Sequence, residues 1–188
     1  MISKLFIIRH PETINNRDKI IQDPLKGELS EFGRSQIPFA VKQLMSLGIT
    51  KVYSSDSLRC IELAKAFSKI SGLKINYDPI FREVNSGEWI GMKKDDVKKL
   101  ISQHKRPKNG EDLDQLMERA KNILNNLIKE EGNILLIIHG CIGKMLIGAT
   151  KDMDPYESDE KFSLKNCQII ELDLKNLASI PLIRNRKK

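Results

Sequence analysis

Two stretches of this chain, Leu5-Phe-Ile-Ile8 and Ile134-Leu-Leu-Ile-Ile138, are apolar without interruption, too short for helices, and each runs directly into a histidine: Arg9-His10-Pro11 in one case, His139-Gly140 in the other. A strand with one solvated face alternates apolar and polar residues. An unbroken run marks a strand covered on both faces, as in parallel sheets flanked by helices. Proline at 11 removes a backbone donor and turns His10 away from helical dihedrals, so the first strand gives way to a loop there.

The rest of the chain supplies the layers. Ser30 reads as the N-cap of an amphipathic helix reaching about Leu47 and stopped by Gly48. Lys51–Ser54 reads as a short strand, 58–70 as a helix closed by Gly72, and 74–78 as a third strand. Residues 15–28 and 79–91 are loops by composition, and a lysine-rich stretch at 93–105 is a small helix. A long helix covers 112–130, a Gly-containing one 142–150, and a last strand 168–174. The expected fold class is α/β, a three-layer sandwich with a mainly parallel central sheet and helices on both sides, plus a small helical insertion at about 83–111. A length of 188 residues with 40% apolar side chains fits one domain over 1–188, ending in a basic tail at about 182–188.

Lys and Arg number 32 against 25 Asp and Glu, and the resulting +7 favours anionic partners. Nucleic acid is not the expected one, because aromatics are 5% and no binding signature accompanies the terminal Arg184-Asn-Arg-Lys-Lys188. Cys60, Cys141 and Cys167 are odd in number and widely spaced, which argues against a disulfide framework and for a reducing compartment. Cys141 reads as a packing residue rather than a nucleophile, and no spacing of histidines or cysteines suggests a metal site. No apolar stretch approaches the roughly 18 residues of a spanning helix, so no membrane partner and a cytoplasmic location are expected.

In open α/β sheets ligands bind beyond the carboxyl ends of the strands, where both histidines fall. Arg9 stands beside one of them and Arg59 opens the helix after the Lys51–Ser54 strand, so two imidazoles and two guanidiniums converge on one pocket. Fixed Arg forks stabilise the charge a phosphoryl group spreads over three oxygens, and a neutral imidazole can take that group covalently. One histidine is in line with the leaving group and the other donates to an equatorial oxygen. The leaving alkoxide needs a proton, for which Glu83 is the chosen carboxyl and Glu88 the competitor. His104, among lysines, reads as a surface residue, and Trp89 as a loop anchor.

From Leu5 to about Leu174 the chain resembles the histidine phosphatase superfamily, the phosphoglycerate mutase-like proteins. Arg9-His10-Pro11-Glu12-Thr13 with Asn16 is similar to the family's R-H-G-E-[ST]-x-x-N, and Leu29-Ser-Glu-Phe-Gly-Arg-Ser-Gln36 to L-[ST]-x-x-G-x-x-Q. Ser54-Ser-Asp-Ser-Leu-Arg59 resembles S-S-x-x-x-R, Glu83 through Gly87, Trp89 and Gly91 resembles E-x-x-x-G-x-W-x-G, Asn109-Gly-Glu-Asp112 echoes a G-E-S loop, and Ile138-His-Gly140 looks like the second-histidine motif. The resemblance implies that His10 is phosphorylated, that Arg9, Asn16, Arg59 and His139 bind the phosphoryl oxygens, that Glu83 donates the proton, and that neither metal nor cofactor takes part.

Three positions depart from that pattern: Pro11 replaces a glycine, Lys144 an arginine after the second histidine, and Asp112 the serine of the G-E-S loop. An exposed Asp112 would disfavour a second anionic group nearby. Mutases of the family carry a longer insertion after the Trp-Gly loop, whereas only residues 92–106 separate Gly91 from Pro107 here, so hydrolysis of a small phosphorylated metabolite is expected. Sugar phosphates, phosphoserine and α-ribazole phosphate are the substrates the resemblance offers. Mutase-type transfer and a catalytically silent phosphate-ester binding module are the alternatives, and oligomeric state has no signature.

Overall fold

Burial on both faces is what the two apolar runs meet. In the computed structural model, which describes residues 2–172 and residue 174, they form β1 (Ile2–Arg9) and β4 (Gly132–Ile138), paired in parallel within a five-stranded sheet. β2 (Lys51–Ser54) pairs in parallel with the other edge of β4, and β3 (Ile75–Tyr77) extends the sheet beyond it. β5 (Ile169–Leu172) runs antiparallel along β1, so the order is β3-β2-β4-β1-β5 and the expected α/β sandwich with a mainly parallel sheet is the one observed.

Seven α-helices are present among the described residues: α1 (Ile14–Arg17), α2 (Glu31–Met45), α3 (Leu58–Ser71), α4 (Lys94–Ser102), α5 (Leu113–Leu127), α6 (Gly140–Ala149) and α7 (Pro155–Lys161). Side chains alternate across the strands to build two cores. Leu5, Ile7, Ile134, Leu136 and Ile138 pack with Leu116 and Leu124 of α5 and Met145 and Leu146 of α6. Phe6, Ile8, Leu135 and Ile137 pack on the opposite face with Val41 and Leu44 of α2 and Leu63 and Phe67 of α3.

Local chemistry sets the helix ends. Ser30 Oγ accepts the Gly33 N–H at 2.9 Å and so caps α2, and Gly72, at φ 73°, ends α3 in a left-handed turn. Two helices, α1 and α7, were not expected. Thr13 and Asn16 form a reciprocal capping box over α1 inside the predicted loop, and Asp154 caps α7 with Pro155 in its first turn. The tail at 182–188 lies outside the described residues. No described helix is long and apolar enough to cross a membrane.

The 83–111 stretch contains one short 3-10 turn, Gly87–Trp89, and α4. It is stitched to the loop after α1 by backbone bonds: Gly91 N–H to Ile21 O (2.8 Å), Ile21 N–H to Met92 O (2.9 Å) and Lys94 N–H to Lys19 O (2.8 Å). Trp89 is buried, as a loop anchor should be.

Gly33 lets α2 approach the loop after β1: a Cβ there would lie 2.0 Å from Glu12 O. Gly33→Ala should therefore destabilise the protein by about 1–3 kcal/mol in urea unfolding, the usual cost of overpacking. An unchanged midpoint would show that this contact is not tight.

Candidate active site

Parallel pairing brings the strand ends together. Arg9 is in register with Ile138 and Ser54 with Ile137, so His10, His139 and Ser55 emerge side by side. The next backbone groups continue the ladder, His10 N–H to Ile138 O at 2.9 Å and Ser55 N–H to Ile137 O at 3.0 Å. The His10 and His139 rings end with centroids 5.1 Å apart and tilted by 58°, at 1% and 0% exposure.

Each ring has a defined partner. His10 Nδ1 lies 2.7 Å from Pro11 O; a carbonyl only accepts, so Nδ1 carries the proton and Nε2 keeps its lone pair. His139 Nδ1 accepts from Arg59 Nε at 3.2 Å, which leaves the proton on Nε2, 2.9 Å from Ser55 Oγ. The expected free donor on the second histidine is thus engaged by protein in this arrangement. Burial first, then the positive charge of Arg59, pushes both imidazoles well below the ordinary histidine pKa; Arg9 adds to this at each, and each is neutral at pH 7.

The arginines are the most costly groups in the site. Arg9 Nη1 donates to Leu164 O (2.6 Å), and Arg59 Nη1 donates to the carbonyls of Asp23 (3.1 Å) and Lys26. Among the described residues no carboxylate hydrogen-bonds either guanidinium, and Arg9 Nε and Arg59 Nη2 are buried without any partner. A cation kept from water with no hydrogen-bonded carboxylate and an orphaned N–H is a strong demand for an anionic ligand, even with Glu83 near enough to favour both charges. Asp23 and Lys26 belong to a loop that borders a cleft of about 340 Å³ between residues 21–27 and Ile90–Gly91.

Glu83 sits at the N-terminus of α6. Its carboxylate accepts from Cys141 N–H (3.0 Å) and Ile142 N–H (3.1 Å), the free donors of the first helical turn. A Cβ on Gly140 would lie 3.5 Å from Arg9 Cζ and 3.6 Å from Glu83 Oε2, which places guanidinium and carboxylate against the same residue. Glu88, the competitor, is exposed and accepts from Lys108 N–H; it lines a different cleft with Trp89, Met92 and Leu100. Asn16 Oδ1 accepts from Thr13 N–H (3.3 Å) and Asn166 Nδ2 (3.0 Å).

The departures acquire physical meaning. Asp112 is buried, caps α5 through Gln115 N–H and pairs with Arg106 at 2.8 Å, so the expectation of an exposed Asp112 repelling anions is corrected. Lys144 is turned to Asp159 at 2.7 Å and joins α6 to α7. The Lys94 side chain, on the cover, makes no hydrogen bond or ion pair among the described residues; burial, and after it the nearby Arg9 and Lys144, lower its pKa against the opposing pull of Cys141. Cys60 and Cys141 are pushed by burial up to about 12, which suits packing rather than nucleophilic thiols. His104 is exposed and packs edge-on against Tyr156.

Three contributors escaped the sequence reading: Ser55 on His139, Asn166 on His10 and Asn16, and Arg119. Arg119 pairs with Glu111 (2.6 Å) and donates to Ile80 O and Arg82 O, fixing the backbone that presents Glu83. Ser55 was visible as part of a Ser run; the other two carried no local signal. Among the described residues no group of three or more His, Cys, Asp and Glu is placed to hold a metal ion.

The model of the histidine phosphatase superfamily (branch 1) matches residues 5–179. The chain belongs to that family. A "probable phosphoglycerate mutase GpmB" of Yersinia enterocolitica is 26% identical over 182 residues, covering 90% of this chain and 84% of that protein. Among solved structures, a mycobacterial glucosyl-3-phosphoglycerate phosphatase complexed with VO3 superposes with TM-score 0.80 at 23% identity, covering 90% of this chain and 92% of the other. The α-ribazole phosphatase from Shigella flexneri gives 0.79 at 21%, covering 93% and 92%. These likenesses establish that the histidine phosphatase fold extends over nearly all of the chain.

Both buried imidazoles must charge in acid, and the sign follows from their lowered pKa values. The unfolded chain binds these protons near pH 6.5 while the folded one does not, so stability is complete above about 6.5 and falls below it. In phosphate-free buffer the Tm should drop between about pH 7.5 and 5.5, at most about 1.4 kcal/mol per pH unit for each histidine. His10→Gln should make the drop shallower; a Tm indifferent to pH in the parent protein would contradict the neutral pair.

Proposed function

We propose that this family member is a metal-independent phosphomonoesterase that hydrolyses a small phosphorylated metabolite through a phosphohistidine on His10. The observation that carries this reading is the pair of guanidiniums, each with a buried, unpartnered N–H, beside an imidazole whose Nε2 makes no hydrogen bond among the described residues. A phosphate monoester supplies the missing negative charge and an electrophilic phosphorus together.

In the first step His10 Nε2 attacks phosphorus, the P–N bond forms as the ester P–O bond breaks, and the leaving oxygen takes its proton from the Glu83 carboxyl. Arg9, Arg59 and Asn16 hold the phosphoryl oxygens, and the His10 Nδ1–H bond to Pro11 O steadies the charge the ring acquires. The dianion favours protonation of His139, whose Nδ1–H then donates to an oxygen as Arg59 Nε turns to the same anion. In the second step the Glu83 carboxylate takes a proton from water, the water oxygen attacks phosphorus, and the P–N electron pair returns to Nε2.

The short cover, a single nine-residue helix α4, supports hydrolysis because it leaves water a path to the intermediate. The Yersinia relative's name supports the second reading, mutase-type transfer, and a silent binding module is the third. Lys94, whose side chain has no ion pair among the described residues and feels the charge of Arg9, suits a leaving group that carries its own negative charge.

With p-nitrophenyl phosphate and EDTA, turnover should persist in the parent protein and fall by about three orders of magnitude or more in His10→Ala. Binding without turnover would favour the module, and interconversion of 3- and 2-phosphoglycerate the mutase. Because the His10 pKa is lowered, kcat/KM should stay level as pH falls through about 6.5, its acid limb lying lower; a limb at 6.5 would contradict this. Glu83→Gln should slow alkyl phosphates far more than p-nitrophenyl phosphate, and equal losses would remove Glu83 from the acid role. Lys94→Ala should raise KM about tenfold for a carboxylated phosphate ester and leave p-nitrophenyl phosphate nearly unaffected.

A further inference from the structure

Asn166 lies 156 residues beyond His10 in sequence, in the loop between α7 and β5, yet its side chain touches the nucleophile's own backbone. Asn166 Nδ2 donates to His10 O at 2.9 Å and to Asn16 Oδ1 at 3.0 Å. Asn16 Oδ1 also receives the Thr13 N–H at 3.3 Å. The same loop grips Arg9 three times, Arg9 Nη1 to Leu164 O (2.6 Å), Cys167 N–H to Arg9 O (3.0 Å) and Arg9 N–H to Gln168 O (3.4 Å).

Which way an amide points is ambiguous when both neighbours are side chains, but here main-chain groups of fixed polarity stand at both ends. Thr13 N–H can only donate, so the Asn16 atom facing it is oxygen. His10 C=O can only accept, so the Asn166 atom facing it is nitrogen. Between them the Asn16 oxygen and the Asn166 nitrogen meet as acceptor and donor, and the relay has one consistent direction. Both donors fall on Asn16 Oδ1; its Nδ2 makes no hydrogen bond among the described residues.

We infer that Asn166 is a positioning residue that holds the Asn16 amide with its oxygen inward and its two N–H donors free for the phosphoryl group, and ties that amide to the backbone carrying the nucleophile. This deepens the phosphoryl-transfer reading and rests on it. Without the Asn166 donor, Asn16 Oδ1 keeps only the longer Thr13 N–H bond of 3.3 Å, and the amide is less firmly held against turning Oδ1, an acceptor, toward an anion. Asn166→Asp goes further: the new carboxylate faces His10 O and Asn16 Oδ1, and the contact is relieved when Asn16 turns its Nδ2 toward the carboxylate, away from the phosphoryl group.

The test is a double-mutant cycle on the full chain, read by calorimetric binding of inorganic phosphate and by KM for p-nitrophenyl phosphate. Asn166→Asp should weaken phosphate binding and raise KM about tenfold in the parent, but less than about twofold when Asn16 is already alanine. Asn166→Ala, which leaves no acceptor in place of the amide, should show the same coupling with a smaller loss, and it guards against a folding defect peculiar to the aspartate. Equal losses in both backgrounds, or none in the parent, overturn the inference, since a merely structural clip would act regardless of residue 16. Failure of the functional reading shows itself elsewhere, as His10→Ala retaining turnover or the parent showing none.

Discussion

Two guanidiniums kept from water, with no carboxylate hydrogen-bonded to either among the described residues, are the constraint around which this molecule is arranged. Arg59 is fully buried, and it and Arg9 are held in place by main-chain carbonyls and an imidazole, groups that orient a cation without neutralising it. Desolvation is the first cause of the lowered pKa of each arginine, as expected for positive charge kept from water. Such an arrangement costs stability, and the histidines beside it answer by staying neutral. A phosphoryl dianion would relieve both strains at once, giving the arginines their counter-charge and the imidazole Nε2 an electrophile.

The sheet makes this possible. Three neighbouring strands, β1, β4 and β2, run parallel, so their carboxyl ends deliver Arg9-His10, His139 and Ser55 to one rim. The helix that follows β4 begins there too, and its free N–H groups receive Glu83 from across the pocket. Closure comes from the loop after α1, whose carbonyls rest on Arg59 and whose backbone is stitched to the cover. The groups proposed as nucleophile, charge clamp and acid therefore owe their meeting to strand order rather than to any local sequence neighbourhood.

What could be read in advance was whatever has a local cause. Unbroken apolar runs disclosed β1 and β4, Ser30 and Gly72 marked helix ends, and separated motifs singled out His10, Arg59, Glu83 and His139. α7 was missed although Asp154-Pro155 is a start signal, because its seven residues carry no apolar periodicity. Whether Asp112 is exposed was not legible, because a capping carboxylate and a solvated one have the same letter; the Arg106 pairing that distinguishes them is tertiary. Asn166 and Arg119 were silent for a related reason. Besides Glu111 and Asn16, their partners are main-chain carbonyls of remote segments, and a carbonyl leaves no trace in a list of side chains.

On the proposed reading, the charge clamp holds a phosphoryl group while His10 carries it. Quenching a phosphomonoester reaction at alkaline pH during steady turnover, followed by peptide mapping in the mass spectrometer, reads this directly. A phosphoryl group on the imidazole of residue 10, stable in alkali and lost in acid, is expected. Turnover with the group on Ser55, Cys60 or His139, or with no covalent adduct at any time point, would contradict it.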